Sequence, residues 1–178
     1  MKVKITLNGK TADIDIPDEK LEELGLKEKK KRTGYELVEN REEYFAVSVV
    51  GNVFESLQVY DADNNQRYVC GNYYSNEMLA KANARADTLM RKLRRFAAEN
   101  GGIPSAEDWN DGLIKKYYID AYYNNDVSGS IRIESGNLYS TRDLFQIYFK
   151  SDEACKKAIE KFKGELIWYF TEYQAMLY

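Results

Sequence analysis

The chain has 178 residues, 44% of them hydrophobic, with 26 Lys and Arg against 29 Asp and Glu, for a formal net charge of -3. That length and apolar share exclude a disordered chain and suffice to bury the core of one or two small domains, while 15 tyrosines beside only 2 prolines point to a folded, sheet-rich protein. Histidine is absent (0 residues), which removes the commonest general base, every Ser/His or Cys/His nucleophile pair and most zinc sites.

No segment approaches the ~18 apolar residues a membrane span needs, and the Met1-Lys2-Val3-Lys4 start lacks the apolar stretch of a signal peptide. The expected location is therefore the cytoplasm, with no membrane partner. The expected fold class is α+β: an amino-terminal ββα module followed by two tandem βββα units with mostly antiparallel sheets. The boundaries run 1–26 for the module, 27–43 for a basic linker, 44–100 and 116–178 for the units, and 101–115 for the connector.

In the module, Val3, Ile5 and Leu7 alternate with polar residues, as do Ala12, Ile14 and Ile16, and Asn8-Gly9 between them is the preferred type I′ turn. This register sets Val3 opposite Ile14 and Ile5 opposite Ala12, giving a hairpin with one apolar face. Pro17, Asp18 and Glu19 open a short helix on which Leu21 and Leu24 share a face, and Gly25 closes it. Lys29, Lys30, Lys31 and Arg32 follow in a basic run that reads as an extended linker, or as a secondary phosphate-binding patch if the fold brings it to the right surface.

The remainder reads as an internal duplication. Tyr44-Phe45-Ala46-Val47 and Tyr117-Tyr118-Ile119 open the two units as aromatic strands. Asn72 to Glu77 corresponds to Ile147 to Glu153, each with a serine placed to cap the following helix. Asp61-Ala62-Asp63-Asn64-Asn65 begins like a calcium loop but has Gln66 where that loop needs glycine, so a hairpin turn is expected. Cys70 falls in a predicted strand and Cys155 in a predicted helix, both as buried thiols. Asn100-Gly101-Gly102 is a helix stop.

The helix over 75–97 carries the strongest signal. At about 100° per residue, Leu79, Ala82, Ala86, Leu89, Leu93 and Phe96 gather on one side and Lys81, Arg85, Lys92 and Arg95 on the other. With Arg91 and Arg94 the helix is strongly cationic inside an acidic chain, either a solvated face or a surface for a charged macromolecule. The second unit ends in Leu166-Ile167-Trp168-Tyr169-Phe170-Thr171-Glu172-Tyr173, apolar nearly all round. It reads as core, or as an interface in which Trp168, Tyr169, Tyr173 and Tyr178 anchor a homodimer or a partner. Asp61, Asp63 and Asp87 form no recognisable catalytic constellation, so neither an enzyme nor a cofactor or metal site is expected.

Three phrases, Arg32-Thr33-Gly34-Tyr35-Glu36, the run from Asn83-Ala84-Arg85-Ala86-Asp87 to Arg94-Arg95-Phe96-Ala97, and Glu165 to Tyr173, resemble small proteins encoded by phages and prophages of Firmicutes. The resemblance spans residues 27–175. Some proteins that look like this are inhibitors of type II CRISPR systems. It thus implies a phage accessory protein in the infected host, with a bacterial defence nuclease, a type II Cas effector, or its guide or target nucleic acid as partner. A phage nucleic-acid-binding accessory protein is the second expectation, with the arginines contacting phosphate and the tyrosines stacking on bases.

Overall fold

Asn8 and Gly9 both adopt the left-handed conformation, φ 51° and 76°, that a type I′ turn requires. The hairpin of β1 (Lys2–Leu7) and β2 (Lys10–Asp15) consequently has the expected register, Val3 opposite Ile14 and Ile5 opposite Ala12. The computed structural model describes residues 2–25, 33–123, 131–143 and 146–177, so the basic run 29–32 lies outside the described residues. Helix α1 (Asp18–Glu23) follows, but Leu21 and Leu24 do not share a buried face: Leu21 is buried and Leu24 is 60% exposed. Ala12 and Ile14 on β2 are exposed as well. The chain forms two compact units, Met1–Thr33 and Gly34–Tyr178, and both expected βββα segments lie in the second.

The molecule is of the α+β class, with antiparallel sheets throughout the described residues. In the second unit, β3 (Glu43–Val47) pairs with β4 (Val53–Leu57), and on its other edge Phe45 forms a single antiparallel bridge with Tyr74. The Asn72 side-chain amide extends this edge, donating to the Val47 carbonyl at 2.8 Å and accepting the Val47 N–H at 2.7 Å. Further on, β5 (Lys116–Tyr123) lies between β6 (Ile131–Leu138) and the short β7 (Tyr148–Phe149). In both segments the opening strand is central and the residues feeding a helix pair along its second edge.

The segment after β4 departs from expectation. Asp61 is not in a hairpin turn; it caps α2 (Ala62–Val69), accepting the Asn64 N–H at 2.8 Å. The helix forms here because Asn64 turns inward, accepting from the Tyr44 hydroxyl at 2.6 Å and donating to the Leu57 carbonyl at 3.1 Å. Cys70 ends this helix and is exposed, so it is neither in a strand nor buried. Tyr44 and Tyr73 stack at 4.1 Å beneath it, both fully buried.

Helix α3 (Glu77–Glu99) is capped by Asn76, whose side chain accepts the Leu79 N–H at 3.0 Å, and not by the expected Ser75. Ser75 is drawn away by Glu36, to which its hydroxyl donates at 2.9 Å. At the other end Gly101 and Gly102 have φ of 104° and 93°, and the Gly102 N–H returns to the Ala97 carbonyl at 3.0 Å, closing the helix. The amino-terminal half packs Leu79 and Ala80 against Tyr74, Phe45, Val47 and Val53 of the first sheet. The carboxy-terminal half does not stay with that sheet: Leu89, Leu93, Phe96 and Ala97 enter one core with Ile119, Phe149, Cys155, Ala158 and Leu166. Leucines and a phenylalanine are large enough to fill the second core, whereas alanine is what allows close approach to the first.

The connector carries α4 (Ala106–Asn110), opened by a capping box between Ser105 and Asp108. Lys116 is fully buried, its ammonium donating to the Asp111 and Tyr139 carbonyls at 3.0 and 2.7 Å and lying 5.2 Å from the Trp109 ring. The carboxy-terminal segment begins with α5 (Asp152–Lys161), capped by Ser151 as expected, breaks at Phe162, and resumes as α6 (Lys163–Trp168). A π-helical turn, Tyr169–Tyr173, and α7 (Gln174–Met176) complete it. Trp168 and Tyr173 are buried against Ala82 and Ala86 of α3.

Trp168→Ala is expected to lower the unfolding free energy in urea by about 3 to 5 kcal/mol, because the cavity would open between two helices. A second expectation concerns acid. The Lys150 ammonium 2.8 Å away, with the Ser105 N–H, holds the Asp108 carboxyl down at about 2 from its ordinary 3.8. Since the folded value lies below the unfolded one, the stability this pair adds is complete above about pH 4 and is lost as pH falls towards 2. Melting temperatures between pH 5 and pH 2 should therefore fall less steeply, by this increment, in Asp108→Asn.

Candidate partner-binding surface

Helix α3 is buried on more than the one face that its leucine periodicity marks. Leu79, Ala82, Ala86, Leu89, Leu93 and Phe96 face inward as expected, but Ala80 and Ala84 are buried too, at 0% and 5% exposure. At about 100° per residue these two alanines lie well round the helix from the leucines, so the first sheet and the carboxy-terminal segment flank the cationic face from opposite sides.

That face is consequently not a uniform row of free charges. Lys81 pairs with Glu77 one turn earlier at 2.7 Å. The Arg85 guanidinium stacks 3.8 Å from the Trp168 ring, and Lys92 pairs with Glu165 at 2.9 Å. Arg91 donates to the Thr88 hydroxyl at 3.2 Å, and Arg95, 75% exposed, makes only a long 3.9 Å contact with Glu99. Arg94 points elsewhere: it lines a cleft of about 340 Å³ with Ile103, Trp109 and Arg142, whose guanidinium lies 4.6 Å from the Trp109 ring.

Two adjoining clefts share Lys92 and Arg95. One, of about 390 Å³, is lined by Val49, Val50, Thr88 and Arg91; the other, of about 490 Å³, by Phe96, Glu99, Lys161, Phe162 and Glu165. Lys161 reaches this surface from α5, its ammonium 5.0 Å from the Phe96 ring and 5.6 Å from that of Phe162. Sequence reading missed Lys161 as a contributor because the charges of its own helix balance, and missed Val49 and Val50 because two valines between strands look like strand residues. The signal that locates the valines in a turn is the flanking Ser48 and Gly51-Asn52.

The aromatic candidates are used inside the chain. Trp168 and Tyr173 are buried and Tyr169 is half-buried beside them; Tyr178 lies outside the described residues. The Tyr173 hydroxyl donates to Asn83 Oδ1 at 2.9 Å, and Asn83 Nδ2 donates to the Tyr35 hydroxyl at 3.0 Å. With Arg85 on Trp168 and Lys92 on Glu165, the segments around Tyr35, Asn83 and Tyr173 thus lock onto one another.

Burial, and next the neighbouring Tyr35, pushes the Tyr74 phenol up to about 12; burial, and next Tyr169, takes Tyr173 to about 12. Among the described residues no three His, Cys, Asp or Glu side chains come together to hold a metal ion. No helix among them is long and apolar enough to cross a membrane. Comparison with protein-family models, curated proteins and solved structures finds no match to this chain.

Burial pushes the Cys155 thiol up to about 11. Native protein treated with a maleimide or iodoacetamide at pH 8 should therefore be modified at Cys70 alone, with Cys155 reacting only after denaturation. Modification of both at equal rates in the native state would contradict the described burial.

Proposed function

We propose that this protein is a non-enzymatic, phage-encoded inhibitor of a bacterial defence system that works by binding a type II Cas nuclease or its guide or target nucleic acid. The sequence resemblance supports the target, and the observation that carries the binding mode is the group of Arg91, Lys92, Arg95 and Lys161 around two adjoining clefts. These cations come from two helices that are packed on a common core, so the backbone positions that carry them are set before a partner arrives. Fixed positive groups attract an anionic partner over several ångströms and align it, which is how occlusion without chemistry reaches a useful affinity.

A second reading, a nucleic-acid-binding accessory protein, is favoured by one observation. Arg94 and Arg142 line a cleft with Trp109, a combination that offers both phosphate contacts and a ring face. Binding to plain duplex or RNA that falls steeply with salt would mark this second reading.

The informative cations are Arg91 and Arg95, because Arg85 and Lys92 also hold the carboxy-terminal segment. In a plasmid-protection assay with a programmed type II Cas nuclease, Arg91→Glu with Arg95→Glu should raise the concentration for half-protection about tenfold or more, equivalent to about 1.4 kcal/mol over two partly exposed charge contacts. The matched control is reversal at Lys156 and Lys157, which sit on α5 paired one turn away with Asp152 and Glu153 at 2.7 Å each. Equal protection by both variants and the parent would remove this surface from the mechanism.

A further inference from the structure

The loop joining β3 to β4 places two β-branched apolar residues at its tip, where glycine, asparagine, aspartate or serine ordinarily stand. Val49 is 97% exposed and Val50 77%, so neither contributes to the core. The loop itself is tightly made. The Gly51 N–H donates to the Ser48 carbonyl at 2.9 Å, the Ser48 N–H to the Asn52 carbonyl at 2.8 Å, and the Asn52 N–H to the Ser48 hydroxyl at 3.0 Å.

Its position on α3 is fixed by Gly51. With φ of 89° this residue favours glycine, and a Cβ there would stand 3.2 Å from the Thr88 hydroxyl and 3.4 Å from the Arg91 guanidinium. The missing side chain lets the turn rest on α3 just where the cations stand. The result is a rigid, apolar tip beside Arg91, Lys92 and Arg95, with a cleft of about 390 Å³ between them.

We propose that this tip and the cations beside it form a protein-docking site, whose occupant is an amphipathic acidic segment of a partner protein. An apolar side chain of that segment enters the cleft against Val49 and Val50, and flanking carboxylates meet Arg91 and Arg95. Valine has no ring to stack on a base and no donor for a phosphate, so a nucleic acid would gain from the cations and nothing from the tip. A protein segment gains from both, through apolar burial at the centre and charge pairing at the rim. The inference rests on reading this face of α3 as partner-binding, and it narrows the partner's surface to protein.

The test uses the full chain and three probes of equal charge: a short peptide of leucine and glutamate, a polyglutamate and an oligouridine. Titration followed by methyl NMR should show the leucine-containing peptide binding at least about tenfold more tightly than the other two, with the largest shifts at Val49 and Val50. The variant V49S/V50N, which carries residues suited to a turn, should keep the parent's melting temperature and lose that preference. Equal affinity for all three probes, tightest binding of the oligouridine, shifts confined to other residues, or a preference that survives in the variant would each overturn the proposal. Failure of plasmid protection alone would remove the nuclease as the partner and leave this result standing.

Discussion

A single helix of 23 residues has to serve two cores at once, and most of what is distinctive in the second unit follows from that. Its first half lies against the β3–β4 sheet and its second half within the core that β5, β7, α5 and α6 complete. A helix buried on two sides keeps only a narrow strip for solvent, and its side chains must be small wherever another backbone comes close. Ala80, Ala82, Ala84 and Ala86 meet that demand at a stretch where larger residues would force the layers apart.

The same constraint decides what the cations do. On an isolated amphipathic helix Lys81, Arg85, Lys92 and Arg95 would share one solvated face. Here the carboxy-terminal segment comes up beside them, so Arg85 covers the Trp168 ring and Lys92 finds Glu165. Both stems then act as packing material with a charged end. Arg91 and Arg95 retain the outward role, joined by Lys161 from the neighbouring helix, while Arg94 turns towards Trp109 and Arg142.

The segments around Tyr35, Asn83 and Tyr173 are structural partners. Gly34 allows the chain to pass over α3, since a Cβ there would come within 2.7 Å of Leu79. Glu36 then accepts from Ser75, and Tyr35, Asn83 and Tyr173 form a hydrogen-bonded chain across three elements. This interlock is how a short chain with partly polar helices holds its carboxy-terminal segment in place, while Arg91 and Arg95 on the same helix stay exposed.

Local rules made much of the architecture legible. Asn8-Gly9 fixed a turn and a register, Gly101-Gly102 fixed the end of α3, Ser151 fixed the start of α5, and runs of aromatic residues marked β3 and β5, because each depends on neighbours in sequence. Helix α2 was hidden, since Asp61 to Asn65 suits a turn as well as a helix start and only Asn64's partners across space, Tyr44 and Leu57, decide between them. Ser75 lost its capping role to Asn76 for a similar reason, a competing acceptor 39 positions away. The sequence by itself determined the α+β class, the amphipathic helix and its excess of positive charge. Which of those charges remain available, and that Val49 and Val50 stand beside them, was decided by tertiary structure alone, because the burial of a side chain depends on surfaces brought up from distant parts of the chain.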